Sequence, residues 1–156
     1  MKTSLNWLRD FVELPWTPRE LSQRLTSAGL EVEGIEEIGK IPDGVIVAEI
    51  LERRKHENSD HLSVCMVSTG SGETLQVVCG AANCDAGQKV ALACIGCDLG
   101  GGFVIKKSKL RGVESNGMLC ASDELGLDDD HSGILILPPD TPLGIPLGQL
   151  YHPDWV

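Results

Sequence analysis

From about Lys40 onward the sequence is divided into short β-branched runs by turn-forming residues, and that punctuation restricts it to small, tightly turned sheets. Val45–Leu51, Leu62–Val67, Thr74–Cys79, Lys89–Ala93 and Ile134–Leu137 are each bounded by Gly, Asn, Asp or Pro. Gly70-Ser71-Gly72 has the composition of a hairpin turn between the second and third runs. Gly100-Gly101-Gly102 precedes a strand-like run rather than a helix, so it reads as a turn and not as a phosphate cradle. Ser122-Asp123-Glu124-Leu125 predicts one short helix. Short strands, glycine-marked turns and the lack of a long helical pattern indicate a small barrel or sandwich.

The first 38 residues follow a different period. Ser4 is placed to cap a turn carrying Leu5, Leu8 and Val12. Thr17-Pro18-Arg19-Glu20 is a capping box with proline at the first helical position; Leu21, Leu25 and Ala28 share a face, and Gly29 stops the helix. These signals predict a small α+β lobe over residues 1–38, with Leu21, Leu25, Val32 and Ile35 as uncovered apolar surface. His152–Val156 read as the first step of a further strand.

Composition narrows the function. A chain of 156 residues, 42% of them hydrophobic, can bury one core and carry an appendage. Its formal net charge is -10, yet Lys106, Lys107, Lys109 and Arg111 fall within six positions. Cations gathered against an acidic background attract a polyanion at one place while the remaining surface repels it. A solvated charged turn is the alternative for the same residues. The aromatic residues Trp7, Phe11, Trp16, Phe103, Tyr151 and Trp155 lie mostly near the ends, which disfavours a single-strand reader built on base stacking. Arg9 and Asp10 interrupt the apolar opening and no apolar run is long enough to span a bilayer, so a cytoplasmic protein is expected, with its six cysteines as thiols. Cys94 and Cys97 have the spacing of half a zinc site but lack a second pair, and Asp128-Asp129-Asp130-His131 lacks the ligand alternation of a calcium loop. No P-loop and no catalytic cluster is present in the sequence.

The most informative stretch is KLRGVESNGMLCAS, residues 109–122, which sets cations, two glycines and a Ser-Asn pair in a pattern too irregular for an ordinary core element. Together with His56-Glu57-Asn58-Ser59-Asp60-His61-Leu62, Gln76-Val77-Val78-Cys79-Gly80-Ala81-Ala82-Asn83, Ala86-Gly87-Gln88-Lys89-Val90 and Glu124-Leu125-Gly126-Leu127, it resembles the tRNA-binding OB domain of bacterial phenylalanyl-tRNA synthetase beta subunits. Ser4-Leu5-Asn6-Trp7-Leu8 and Gly29-Leu30-Glu31-Val32-Glu33-Gly34 resemble the opening of the same subunit. The chain departs from the family pattern at Glu57, Ser59 and His61, where proline, alanine and lysine are usual, and in the cysteine-rich stretch Cys94–Gly102.

The resemblance implies a mainly β fold: a five-stranded OB barrel over residues 40–151, inserted into a small α+β N-terminal lobe that is incomplete in this chain, with residues 152–156 starting its return segment. It implies tRNA as the polyanion, with Arg53, Arg54 and Lys55 on one basic rim and Lys106, Lys107, Lys109 and Arg111 on another. Asn58, Asn83, Ser115 and Asn116 are then polar contacts. The complete ligase uses ATP and Mg2+ and pairs the beta subunit with an alpha subunit that carries the aminoacylation site. This chain is expected to hold no catalytic residue, cofactor or metal of its own, to bind tRNA weakly, to avoid membranes, and to have self-association through the incomplete lobe open to it. Nine basic against fifteen acidic side chains over residues 40–151 give a charge of -6. That balance keeps a second reading open, an interaction barrel with little direct RNA contact.

Overall fold

The computed structural model describes residues 1–156. In chain order the elements are helices α1 (Leu5–Arg9) and α2 (Pro18–Ser27), then strands β1 (Glu37–Ile38), β2 (Val45–Lys55), β3 (Ser63–Ser68), β4 (Thr74–Cys79), β5 (Lys89–Ala93), β6 (Ser108–Leu110), β7 (Val113–Ser115), β8 (Met118–Leu119) and β9 (Ile136–Leu137). A 3-10 turn at Leu147–Gln149 and strand β10 (Asp154–Trp155) complete the order. They form two units, residues 1–40 with 152–156, and residues 41–151.

In the smaller unit Ser4 caps α1 by accepting from the Trp7 amide at 2.9 Å, and Thr17 and Glu20 form the reciprocal capping box of α2. β1 pairs antiparallel with β10, Glu37 opposite Trp155. Asp154 fastens that pair to α1: its carboxylate accepts from the Ser4 hydroxyl and from the Asn6 amide at 2.9 Å. Leu5 is the one buried side chain of α1, and α2 buries none. Leu21, Leu25 and Val32 are half-buried and Ile35 is exposed.

The larger unit is an antiparallel sheet in the order β4-β3-β2-β5-β8, curled until its edges meet. The meeting is made by side chains as well as backbone. The Asn116 amide donates to the Gln76 carbonyl at 2.8 Å, and the Gln76 side-chain amide donates to the Glu114 carbonyl at 2.8 Å. Ser115, buried, accepts from the Val78 amide and donates to the Gly117 carbonyl, both at 3.0 Å. This order, with the β7–β8 segment closing onto β4, is the five-stranded OB barrel. β2 spans the barrel because a register shift between Ile50 and Glu52 bends it, so its first half pairs with β5 and its second half with β3.

Strand alternation divides the core in two. Ala48 and Ile50 of β2 and Val90 and Leu92 of β5 point inward to Cys65, Val67, Val77 and Leu119. Val45, Val47, Ala91 and Ala93 point outward, where Ile41, Cys97, Ile105, Leu125, Leu137 and Leu147 cover them. All six cysteines are free thiols. Burial pushes Cys65 and Cys120 up to about 12 and Cys79 up to about 11.

Four sequence expectations change. The first barrel strand runs on to Lys55 rather than stopping at Leu51, because its outer half continues the ladder with β3. Only Ile136–Leu137 of the last run is strand; Ile134 gives its backbone groups to Asn83 instead. Ser122–Leu125 forms a turn, not a helix: the Ser122 hydroxyl is engaged by Asp128 and Gly126 ends the winding. Residues 109–122 are not irregular but contain the β6–β7 hairpin and the closing strand β8.

Burial works to raise the Asp154 carboxyl, but the hydrogen bonds from Ser4, Asn6 and Trp155 outweigh it and hold the group below the usual aspartate range. A depressed acid stabilises above its unfolded value, about 4, and that stabilisation is lost as pH falls through the native value. All three tryptophans, Trp7, Trp16 and Trp155, lie in the smaller unit, so intrinsic fluorescence should report its loosening on acidification. Asp154→Asn should abolish that acid limb. In the barrel, Ser115→Ala leaves the Val78 amide without its acceptor in a closed seam, and urea unfolding should show a loss of about 1 to 3 kcal/mol.

Candidate nucleic-acid interface

The exposed end of β2 carries Arg53, Arg54 and Lys55 in succession, out past the register shift where the strand no longer has a buried face. Arg53 donates to the Ser63 hydroxyl at 3.1 Å, and Lys55 pairs with Asp60 at 2.9 Å. These three cations line a cleft of about 580 Å³ with Asp60, His61, Leu62, Gly80 and Ala81. Exposed ion pairs such as Lys55–Asp60 are worth about 0 to 1 kcal/mol, so Lys55 can exchange its carboxylate for a phosphate at little cost.

The second basic segment is built on the β6–β7 hairpin. Ser108 pairs with Ser115 and Leu110 with Val113, which leaves Arg111-Gly112 as a two-residue loop. Both loop residues have positive φ, 49° and 86°, as the tight turn that matches strand twist demands. Lys106, Lys107 and Lys109 are exposed on and before β6. Lys107 reaches Glu114 at 3.4 Å, and Glu114 also stands opposite Lys109 in the ladder.

The two segments are joined at His56, which is 2% exposed. Its Nδ1 accepts from the Asn58 amide at 3.0 Å, and its Nε2 meets the Leu110 carbonyl at 2.8 Å. Asn58 and Arg111 add a reciprocal pair: the Asn58 side-chain amide donates to the Arg111 carbonyl, and the Arg111 guanidinium donates to the Asn58 carbonyl, both at 3.2 Å. Lys55 precedes His56 and Lys109 precedes Leu110, so this junction brings the basic end of β2 and the basic hairpin to one corner.

Three of the polar residues expected to contact RNA, Asn83, Ser115 and Asn116, make hydrogen bonds within the chain. Asn83 spends both ends of its amide on Ile134, donating to its carbonyl and accepting from its N–H at 3.0 Å each. A Cβ on Gly133 would lie 2.3 Å from the same Asn83 oxygen, so the clamp closes over bare backbone. Ser115 and Asn116 close the barrel. In the sequence His56 stands out only as the first residue of the His56–Leu62 motif. Its signal was a histidine two residues ahead of an asparagine at a strand end, the spacing at which a side-chain acceptor takes an i+2 amide.

The family described as "Putative tRNA binding domain" matches residues 45–146, the barrel from its first strand to the outer cover. The chain belongs to this tRNA-binding domain family. The family's span includes the end of β2, the His56 junction and the β6–β7 hairpin. Over 147 residues the chain is 55% identical to the phenylalanine--tRNA ligase beta subunit of Geobacter sulfurreducens, covering 94% of this chain and 18% of that protein. It is 50% identical over 150 residues to the beta subunit of Syntrophus aciditrophicus, covering 96% of this chain and 18% of the relative. The chain therefore spans less than a fifth of the length of these relatives. Among solved structures, a MetRS related protein from Pyrococcus horikoshii aligns with a TM-score of 0.48 at 22% identity, covering 64% of this chain and 84% of that one.

Proposed function

We propose that residues 41–151 bind tRNA through the corner formed by Arg53, Arg54, Lys55, Lys106, Lys107 and Lys109, and that the chain acts within a phenylalanine--tRNA ligase beta subunit. The observation that carries this reading is the meeting of both basic segments at His56, in a domain of the tRNA-binding family whose net charge is otherwise acidic. Lysines and arginines on exposed backbone with no aromatic side chain among them suit phosphates and helix geometry rather than base stacking. Catalysis lies elsewhere on this reading. No three His, Cys, Asp or Glu side chains converge to hold a metal ion. We assign that step to an alpha subunit and to parts of the beta subunit outside this chain. A cytoplasmic location goes with that role in translation, and no helix is long and apolar enough to cross a membrane. The competing reading, a protein-docking barrel, draws on the carboxylates Glu57, Asp60 and Glu114 set among the cations.

Binding of tRNA to the purified chain across a salt series separates the two. About four phosphate contacts give a slope of log affinity against log salt of roughly -3 to -4, with affinity weaker than about 10 µM near physiological salt. Charge reversal at Lys106, Lys107 and Lys109 should abolish binding, whereas Arg19→Glu in the smaller unit should leave it intact. A folded triple variant that binds as well as its parent would award the barrel to the docking reading.

A further inference from the structure

His56 has two ring nitrogens and two partners that admit one arrangement. The Asn58 backbone amide can only donate, so Nδ1 must accept; the Leu110 carbonyl can only accept, so Nε2 must carry the hydrogen. The ring is 2% exposed, so water cannot replace either partner if one is lost. One partner belongs to the loop after β2 and the other to the tip of the β6–β7 hairpin, so a single imidazole ties together backbone segments 54 residues apart in sequence. Arg111 repeats the tie from the other side. Its φ of 49° lies in the left-handed region, where glycine and asparagine are the ordinary occupants of such a turn. Its side chain and carbonyl are both spent on Asn58.

We infer that His56 is a positioning residue: held as the Nε2–H tautomer, it locks the 56–61 loop to the β6–β7 hairpin, and Arg111 is a strut of that lock rather than a phosphate contact. The two basic segments therefore meet a polyanion as one pre-assembled corner, and binding does not have to order one against the other. The lock itself stands on the hydrogen bonds alone; its consequence for affinity rests on the tRNA-binding reading given above.

Two near-isosteric substitutions take the lock apart one side at a time. In His56→Asn the side-chain oxygen sits where Nδ1 was and keeps the Asn58 bond, while the Leu110 bond is lost. In His56→Gln the side-chain amide reaches the Nε2 position and keeps the Leu110 bond, while the Asn58 bond is lost. Hydrogen exchange on residues 1–156 should show hairpin amides 108–115 exchanging about tenfold faster in His56→Asn with Asn58 unchanged, and the reverse in His56→Gln. Unchanged exchange in both variants, or a uniform rise through β2 to β5, overturns the lock and leaves His56 as ordinary packing. For tRNA, both variants and Arg111→Gln should bind about tenfold more weakly with an unaltered salt slope, since no phosphate contact is removed. A slope shallower by about 0.9 in Arg111→Gln makes it a phosphate contact and ends the strut assignment. If the parent chain binds no tRNA, the functional reading falls by itself, and the exchange pattern still decides the lock.

Discussion

Strand β5 is saturated in every direction, and the rest of the barrel is arranged around that fact. Its residues Val90 to Ala93 are all fully buried, Val90 and Leu92 facing the barrel interior and Ala91 and Ala93 facing the outer cover. One edge pairs with β2; the other is shared, β9 taking Lys89 and Val90 and β8 taking Leu92 and Ala93. A strand buried on both faces and bonded on both edges has no solvent-facing freedom. Small alanines on its outer face let Leu137 and Leu147 pack close. Because β8 is fixed against β5 and lies three residues after β7, the core brings the base of the hairpin to the barrel edge, where Ser115 and Asn116 bond to β4.

That arrangement explains how an acidic domain presents a basic corner. Seven of the nine cations over residues 40–151 sit on two segments that outrun the core, the far end of β2 and the stretch from Lys106 to Arg111 that leads into the β6–β7 hairpin; the other two are Lys40 and Lys89. Neither contributes much to burial, so both are free to carry charge. Carboxylates at Asp60 and Glu114 hold Lys55 and Lys107 loosely, in exposed pairs whose loss the fold would barely register. Such pairs keep the cations apart from one another and hydrated until a stronger anion displaces the carboxylate.

The strands that the sequence announced were those with an inward and an outward residue in alternation, and Thr74–Cys79 and Lys89–Ala93 were read to the residue. β8 escaped because two residues carry no period, and because closure depends on the side chains of Gln76, Ser115 and Asn116, which composition alone presents as ligands. Ile134 looked like strand because it is apolar; a distant amide replaced its ladder. The turn at Ser122 had the right capping letters, but Glu124 spends its carboxylate on the Ala121 amide and no helix follows. Basic residues were legible as a group from charge. Their junction was not, since nothing in a linear pattern says that His56 and Leu110 will meet.

The clamp of Asn83 over Gly133 has a consequence for how this chain can drift. Any side chain at position 133 collides with the amide that holds Ile134, while any loss of Asn83 strips two backbone groups of their partners. The two sites are thus epistatic in one order. Replacement of Asn83 first opens the room that a larger residue at 133 can then occupy, and once it is occupied the asparagine cannot return. The geometry acts as an entrenching ratchet, and a mutational path through this loop has a direction.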